Sequence, residues 1–265
     1  MNMRIGKTNY LNATPFYNGL ASENGVKFDF VEGAPSVLNE LVRNGKIEVS
    51  LISSLEYSKS PEKYFVLPGL SISSREASQS VGLIWKGEIA ELHGREIFFL
   101  RDSYSSVALL DILLKERYEI TNTSLSPVNP EELEKIVAEG GPVMVIGDRA
   151  LELRNQLENS PVHYYDLGTL WWEWLKMPFC FALWVVRKDF YEANKETVKQ
   201  FAEALKKRVK ENLSRISVSG EDTKDYLLNF DYGLDMDILQ GLFLFYERAA
   251  KLGWTKRIKD LEFIQ

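Results

Sequence analysis

Glu96-Ile97-Phe98-Phe99-Leu100-Arg101-Asp102-Ser103-Tyr104-Ser105-Ser106-Val107-Ala108-Leu109-Leu110 reads as a strand, a polar turn and the opening of a helix. Residues 96–100 are of strand length and apolar from Ile97 on, and the polar stretch 101–106 interrupts them. From Val107 to Lys115 the apolar positions 107, 109, 110, 113 and 114 fall on one helical face. The same unit recurs downstream. Val143 to Ile146 is a short apolar strand, Gly147-Asp148 turns the chain, and Arg149 to Gln156 has helical patterning. Upstream, the strand Met3 to Lys7 meets the polar stretch Asn9 to Thr14 and a helix entered through Pro15. Val26 to Glu32 alternates as a strand. Ala34 to Leu41 is a helix with Pro35 near its first position, and Gly45 ends it. Glu48 to Ser53 is a buried strand running into Ser54-Leu55-Glu56-Tyr57. Strands alternating with helices imply an α/β protein with a mostly parallel sheet.

Val66 to Ser73 and Ser80 to Trp85 are further strand candidates, joined by the polar turn 74–79. Phe179 to Val186 is another buried strand, followed by helices over Lys195 to Leu213, Lys224 to Asn229 and Met236 to Leu252. The section from about Lys86 to Pro178 forms a self-contained α/β unit. The expected division is therefore one lobe of residues 1–85 plus 182–265 and an inserted lobe of residues 86–181. Crossings near 83–88 and 178–186 would act as hinges. This organisation is similar to a two-lobed periplasmic-binding-protein-like fold of the second type, in which a ligand sits in a central cleft beyond the carboxyl ends of the strands.

The chain has 265 residues, 45% of them hydrophobic, which suffices for one large or two modest cores. Its formal net charge is −6 with both signs interspersed, and the longest basic stretch, Lys206-Lys207-Arg208, lies on a helix that also carries Glu203 and Glu211. Nucleic acid is therefore not an expected partner. An anionic small molecule remains compatible, because a few local donors outweigh a distant field. Cys180 is the only cysteine, so no intramolecular disulfide forms. Met1 to Gly6 runs directly into a strand pattern, and no segment approaches a membrane span. The expected location is cytoplasmic, with no membrane partner.

Five polar clusters fall at expected strand ends or strand starts: Asn9 to Thr14, Ser53-Ser54, Ser80, Arg101 to Ser106, and Gly147-Asp148. Each alone is explained equally well as a helix cap. Together they would face one cleft, and free helix N–H groups bind carboxylates well. Arg101 to Ser106 is the best anion site, with the hydroxyls of Ser103, Ser105 and Ser106 beside the amides of a new helix. Arg101 either adds charge there or pairs with Asp102. His93 and His163 lie in no metal-ligand spacing, and neither reads as a base. There is no nucleophile elbow, P-loop or dinucleotide glycine fingerprint. No metal and no cofactor are expected. Trp171, Trp172 and Trp174 read as packing over the inserted lobe. On these residues alone the chain is a binder of a small anion, with enzyme and sensor both open.

Several motifs in order resemble the chorismate dehydratase family of menaquinone biosynthesis. They are Asn9-Tyr10-Leu11-Asn12-Ala13-Thr14-Pro15, Ile52-Ser53-Ser54-Leu55-Glu56-Tyr57, Leu67-Pro68-Gly69-Leu70-Ser71-Ile72, Ser80-Val81, Ser103 to Leu110, Ile146 to Leu151, Tyr165-Asp166-Leu167-Gly168, and Pro178 to Trp184. Ser105 stands where the family usually has threonine, and the turn 75–79 lacks the family's usual glycine. The resemblance implies the futalosine route and a lyase that dehydrates chorismate to 3-[(1-carboxyvinyl)oxy]benzoate. It implies Asn12 as a polar anchor beside the reacting carbons and Ser80 as a hydrogen-bonding partner of the substrate. Tyr10, Ser53, Ser54, Ser103, Ser105, Ser106, Gly147 and Asp148 are the expected substrate-binding residues. The rival readings are a non-catalytic small-anion binding or sensor protein and the sister dihydroxynaphthoate synthase.

Overall fold

A computed structural model describes residues 2–20, 22–23, 26–101, 104–218 and 223–265. From the N-terminus, β1 (Asn2–Lys7) leads through a 3₁₀ turn (Leu11–Ala13) into α1 (Thr14–Tyr17). There follow β2 (Ser22–Glu23), β3 (Val26–Glu32), α2 (Pro35–Arg43), β4 (Val49–Ser53), α3 (Ser54–Lys59) and β5 (Tyr64–Ser74). The middle of the chain holds β6 (Val81–Trp85), β7 (Glu96–Leu100), α4 (Tyr104–Ile112), β8 (Ser124–Val128), α5 (Pro130–Ala138) and β9 (Val143–Ile146). It continues with α6 (Gly147–Leu157), β10 (His163–Asp166) and α7 (Leu167–Leu175). β11 (Phe179–Arg187), α8 (Lys188–Ala193), α9 (Lys195–Val218), α10 (Lys224–Leu228) and α11 (Met236–Lys251) complete it. Among the described residues no helix is long and apolar enough to cross a membrane.

The strands make two sheets, one in the order β2-β3-β1-β4-β11-β5 and the other β10-β6-β9-β7-β8. Helix crossovers give the parallel pairs β1–β3, β1–β4, β7–β8 and β7–β9. The expectation of a mostly parallel sheet needs correcting, because β11 is antiparallel to both β4 and β5, and β6 is antiparallel to both β9 and β10. These two strands enter their sheet straight from the other one. They have no helix to return the chain to the same edge, so they run against strands that do.

The crossings themselves lie at 75–80, between β5 and β6, and at 176–178, between α7 and β11. The stretches expected as hinges, 83–88 and 178–186, instead overlap the strands β6 and β11. Residues 81–85 pair in the five-stranded sheet and residues 179–181 belong to a strand of the six-stranded one. An apolar strand reads the same whichever sheet takes it up. What marks the crossing is the polar backbone around it.

Asp166 holds that backbone. Its carboxylate caps α7 by accepting from the Thr169 N–H at 2.9 Å and accepts also from Ser78 N–H at 2.9 Å, Ser78 Oγ at 2.9 Å and Gln79 N–H at 2.6 Å. Arg75 pairs with Asp231 and Asp235 at the other side of the crossing. One apolar cluster runs through both halves, from Leu55 and Leu183 near one sheet to Val107, Leu83 and Trp171 near the other, closed by Phe245 of α11. A second fills the far face of the six-stranded sheet, where Trp184 meets Phe16 and Phe201 edge to face at 5.4 and 5.8 Å.

Candidate functional site

A cleft opens between the sheets where strand ends converge. β1 runs out into Thr8, Tyr10 and Asn12, β4 ends at Ser53, and β9 ends at Ile146-Gly147. β6 is antiparallel to β9, so its beginning, Ser80-Val81, meets the same edge. Ser105 and Ser106 come from the first turn of α4, behind β7. Ile52, Ile72, Phe181, Ala182 and Phe230 supply apolar wall. The space between these residues, open mouth and solvent included, is about 730 Å³.

The structure brings Tyr10, Asn12, Ser53, Ser80, Ser105, Ser106 and Gly147 to the cleft. Ser103 lies outside the described residues. Two expected residues do not line it. Ser54 is fully buried as the first residue of α3, and its hydroxyl has no partner among the described residues. Asp148 turns its carboxylate to the Leu11 N–H at 3.0 Å. It thereby satisfies the start of the 3₁₀ turn that carries Asn12. Burial raises its carboxyl above the usual range, and the Leu11 N–H bond partly offsets this. Asp148 is thus a link between the halves of the molecule. Gly147 beside it has φ +66°, and a Cβ there would come within 3.0 Å of the Tyr10 ring. The ring therefore lies against bare backbone, a place only glycine fits without strain.

The serines differ in what they already hold. Ser105 Oγ accepts from the Leu55 N–H at 2.9 Å, capping α3 from the opposite half. Ser106 is buried, and its hydroxyl has no hydrogen-bond partner among the described residues. Ser53 exchanges long bonds of 3.4 Å with the Asn39 amide. Ser80 Oγ accepts from the Tyr226 hydroxyl at 2.8 Å, and its carbonyl accepts from Gly147 N–H at 2.8 Å. The Asn12 amide has no hydrogen-bond partner among the described residues. No charged side chain is among the described residues lining the cleft. The first turns of α2, α4 and α6 contribute lining residues, so the positive ends of three helix dipoles lie at its wall. An anion can be held there by hydroxyls, amides and dipoles alone.

Arg101 is exposed and borders a separate depression with Pro127, Asn129 and Glu132. His93 is exposed and bonded to Asn122, and His163 is exposed beside Tyr165. Trp171 is buried in the core, and Trp174 lies under the Arg248 guanidinium. Sequence reasoning missed Thr8, Phe181, Phe230 and Tyr226. Only Thr8, adjoining the first polar cluster, carried a local signal. The others come from β11, from α10 and from the bend that follows it, all far from the polar clusters in sequence.

A family model described as menaquinone biosynthesis matches residues 3–251. The chain is 30% identical to the chorismate dehydratase of Thermus thermophilus, over 92% of this chain and 93% of that protein. It is 26% identical to the chorismate dehydratase of Campylobacter jejuni, over 75% of this chain and 74% of that protein. Among solved structures, the Candida albicans CA3427 gene product, described as having the generic periplasmic binding protein structural fold, superposes with a TM-score of 0.66 at 13% identity, covering 99% of this chain and 97% of that one. The fold is thus the two-lobed, periplasmic-binding-protein-like one expected from the sequence.

Proposed function

The chain belongs to the menaquinone-biosynthesis family, and on that footing we infer that it is a chorismate dehydratase, a lyase forming 3-[(1-carboxyvinyl)oxy]benzoate. The observation that carries this is the match to a chorismate dehydratase along nearly the whole chain. The cleft supports it with hydroxyls, amides and helix N-termini suited to carboxylates.

The reaction removes the ring hydroxyl and the hydrogen on the neighbouring carbon that bears the enolpyruvyl ether. One C–H and one C–O bond break, a ring double bond forms, and water leaves. Because the product ring is aromatic, the step is strongly downhill. The protein has only to orient the substrate, exclude water and steady the leaving oxygen. In this reading Asn12, whose amide donates and accepts, anchors the substrate beside the reacting carbons. Ser80 donates to a substrate oxygen, and Ser106 and the α4 amides take a carboxylate. A carboxylate of the substrate itself removes the proton. Tyr10, set against Gly147, closes one wall. The two sheets belong to lobes that flex at the crossings 75–80 and 176–178, and the reaction takes place in the cytoplasm.

The test is incubation of the purified protein with chorismate, followed by absorbance and mass detection of an aromatic product one water lighter. Asn12→Asp should cut turnover by about tenfold or more while melting stays near wild type, because Asp caps a turn as well as Asn but repels an anion. Chorismate bound and unchanged would favour the sensor reading. Near-normal turnover by Asn12→Asp would remove Asn12 from the chemistry.

A further inference from the structure

Ser80 is not an isolated hydroxyl. Its Oγ accepts from the Tyr226 O–H at 2.8 Å, and both residues are buried, at 1% and 3% exposure. The hydrogen of Ser80 itself has only the Ser78 carbonyl at 3.4 Å, a distance at the edge of bonding. A substrate oxygen at ordinary distance would take that hydrogen over. Tyr226 thus occupies a lone pair of Ser80 and leaves its hydrogen to be directed into the cleft. A hydroxyl that accepts one bond becomes a better donor in the next, since chained hydrogen bonds polarise one another.

The placement of Tyr226 fits this task. It sits on α10, which packs against the 3₁₀ turn bearing Asn12. Its ring meets Phe230 edge to face at 5.2 Å, and Phe230 lines the cleft. One short helix therefore ties together the Asn12 turn, the Ser80 hydroxyl and an apolar wall, all from outside the sheet that carries Ser80. Burial pushes the phenol above its usual value, so it stays protonated and keeps its donor across working pH.

We propose that Tyr226 is a positioning residue of the dehydration, acting through Ser80 by fixing which way the serine hydroxyl donates. This rests on the chorismate dehydratase reading of the cleft. The substrate's ring hydroxyl or a neighbouring oxygen would receive the Ser80 hydrogen, and no proton leaves Tyr226.

The experiment is a double-mutant cycle on the full chain with chorismate as substrate. Tyr226→Phe keeps the ring and its contact with Phe230 and removes only the donor. It should lower kcat about tenfold, leave KM within about threefold, and melt within about 5 °C of wild type. In a Ser80→Ala background the same substitution should change kcat by less than about twofold, because the path through Ser80 is already cut. A wild-type kcat in Tyr226→Phe would overturn the proposal. So would an equal loss in both backgrounds, or a loss confined to KM. A Tyr226→Phe protein melting far below wild type would make the hydroxyl a requirement of the fold and overturn it as well. Failure of the wild-type protein to convert chorismate is a separate result. It would strike the reading of the cleft first and the positioning role with it.

Discussion

Ser105→Ala removes an acceptor that the structure uses twice over, as cleft wall and as a bond between the two halves. Ser105 is 4% exposed, and its Oγ takes the Leu55 N–H at 2.9 Å. Leu55 is the second residue of α3, so this N–H has no partner within its own helix. Leu55 is itself 1% exposed, so its N–H is buried with the serine oxygen as its partner. Leaving a buried N–H unpaired costs about 1–3 kcal/mol. For a chain of this size each kcal/mol is worth about 2–4 °C in Tm, so Ser105→Ala should melt roughly 2–12 °C lower. Ser106 is the control. It adjoins Ser105, lines the same cleft and has no partner to lose among the described residues. Ser106→Ala should melt within about 1–2 °C of wild type and raise KM for chorismate about tenfold, the worth of one hydrogen bond to a charged group. Thermal unfolding and steady-state kinetics on the same preparations separate the two. Equal melting loss in both variants, or none in Ser105→Ala, would refute the assignment of Ser105 to the α3 terminus.

Three further outcomes follow from the site. Asp148 has a raised carboxyl pKa, so its charged form is disfavoured by folding. Its stabilising contribution is fullest below the ordinary carboxylate range and is lost as pH rises through the raised value. Asp148→Asn keeps an acceptor for Leu11, so it should melt above wild type near pH 7, the gain fading toward about pH 3 in a pH series of unfolding curves. Gly147→Ala forces a side chain into φ +66° and to 3.0 Å from the Tyr10 ring. It should cost about 1–2 kcal/mol and raise KM as Tyr10 is displaced, both read from melting and kinetics. Asp166→Ala strips the bonds from Ser78, Gln79 and Thr169. It should destabilise by about 3 kcal/mol or more in denaturant unfolding, with kcat falling as the Ser80 backbone loosens. A Ser80 site insensitive to this change would show that the crossing is held from elsewhere.

The sequence by itself determined the repeating strand, polar turn and helix. Residues 96–110 and 143–157 display it because periodicity and capping are local properties of the chain. It determined too that polar residues collect at strand ends, and so which of them could share a cleft: Asn12, Ser53, Ser80, Ser105 and Ser106 do. Only the tertiary structure decided strand direction and the crossings, since the apolar run 81–85 satisfies either sheet equally well and the choice is made by pairing with β9 and β10. It decided as well how each polar group is used. Asp148 and Ser105 read alike as cleft residues, yet their oxygens are taken by the N–H groups of Leu11 and Leu55, partners 137 and 50 positions away. Tyr226 stands 146 positions from the serine it bonds. Hydrogen bonds at such separation depend on how whole elements pack, and no local pattern in the chain encodes them.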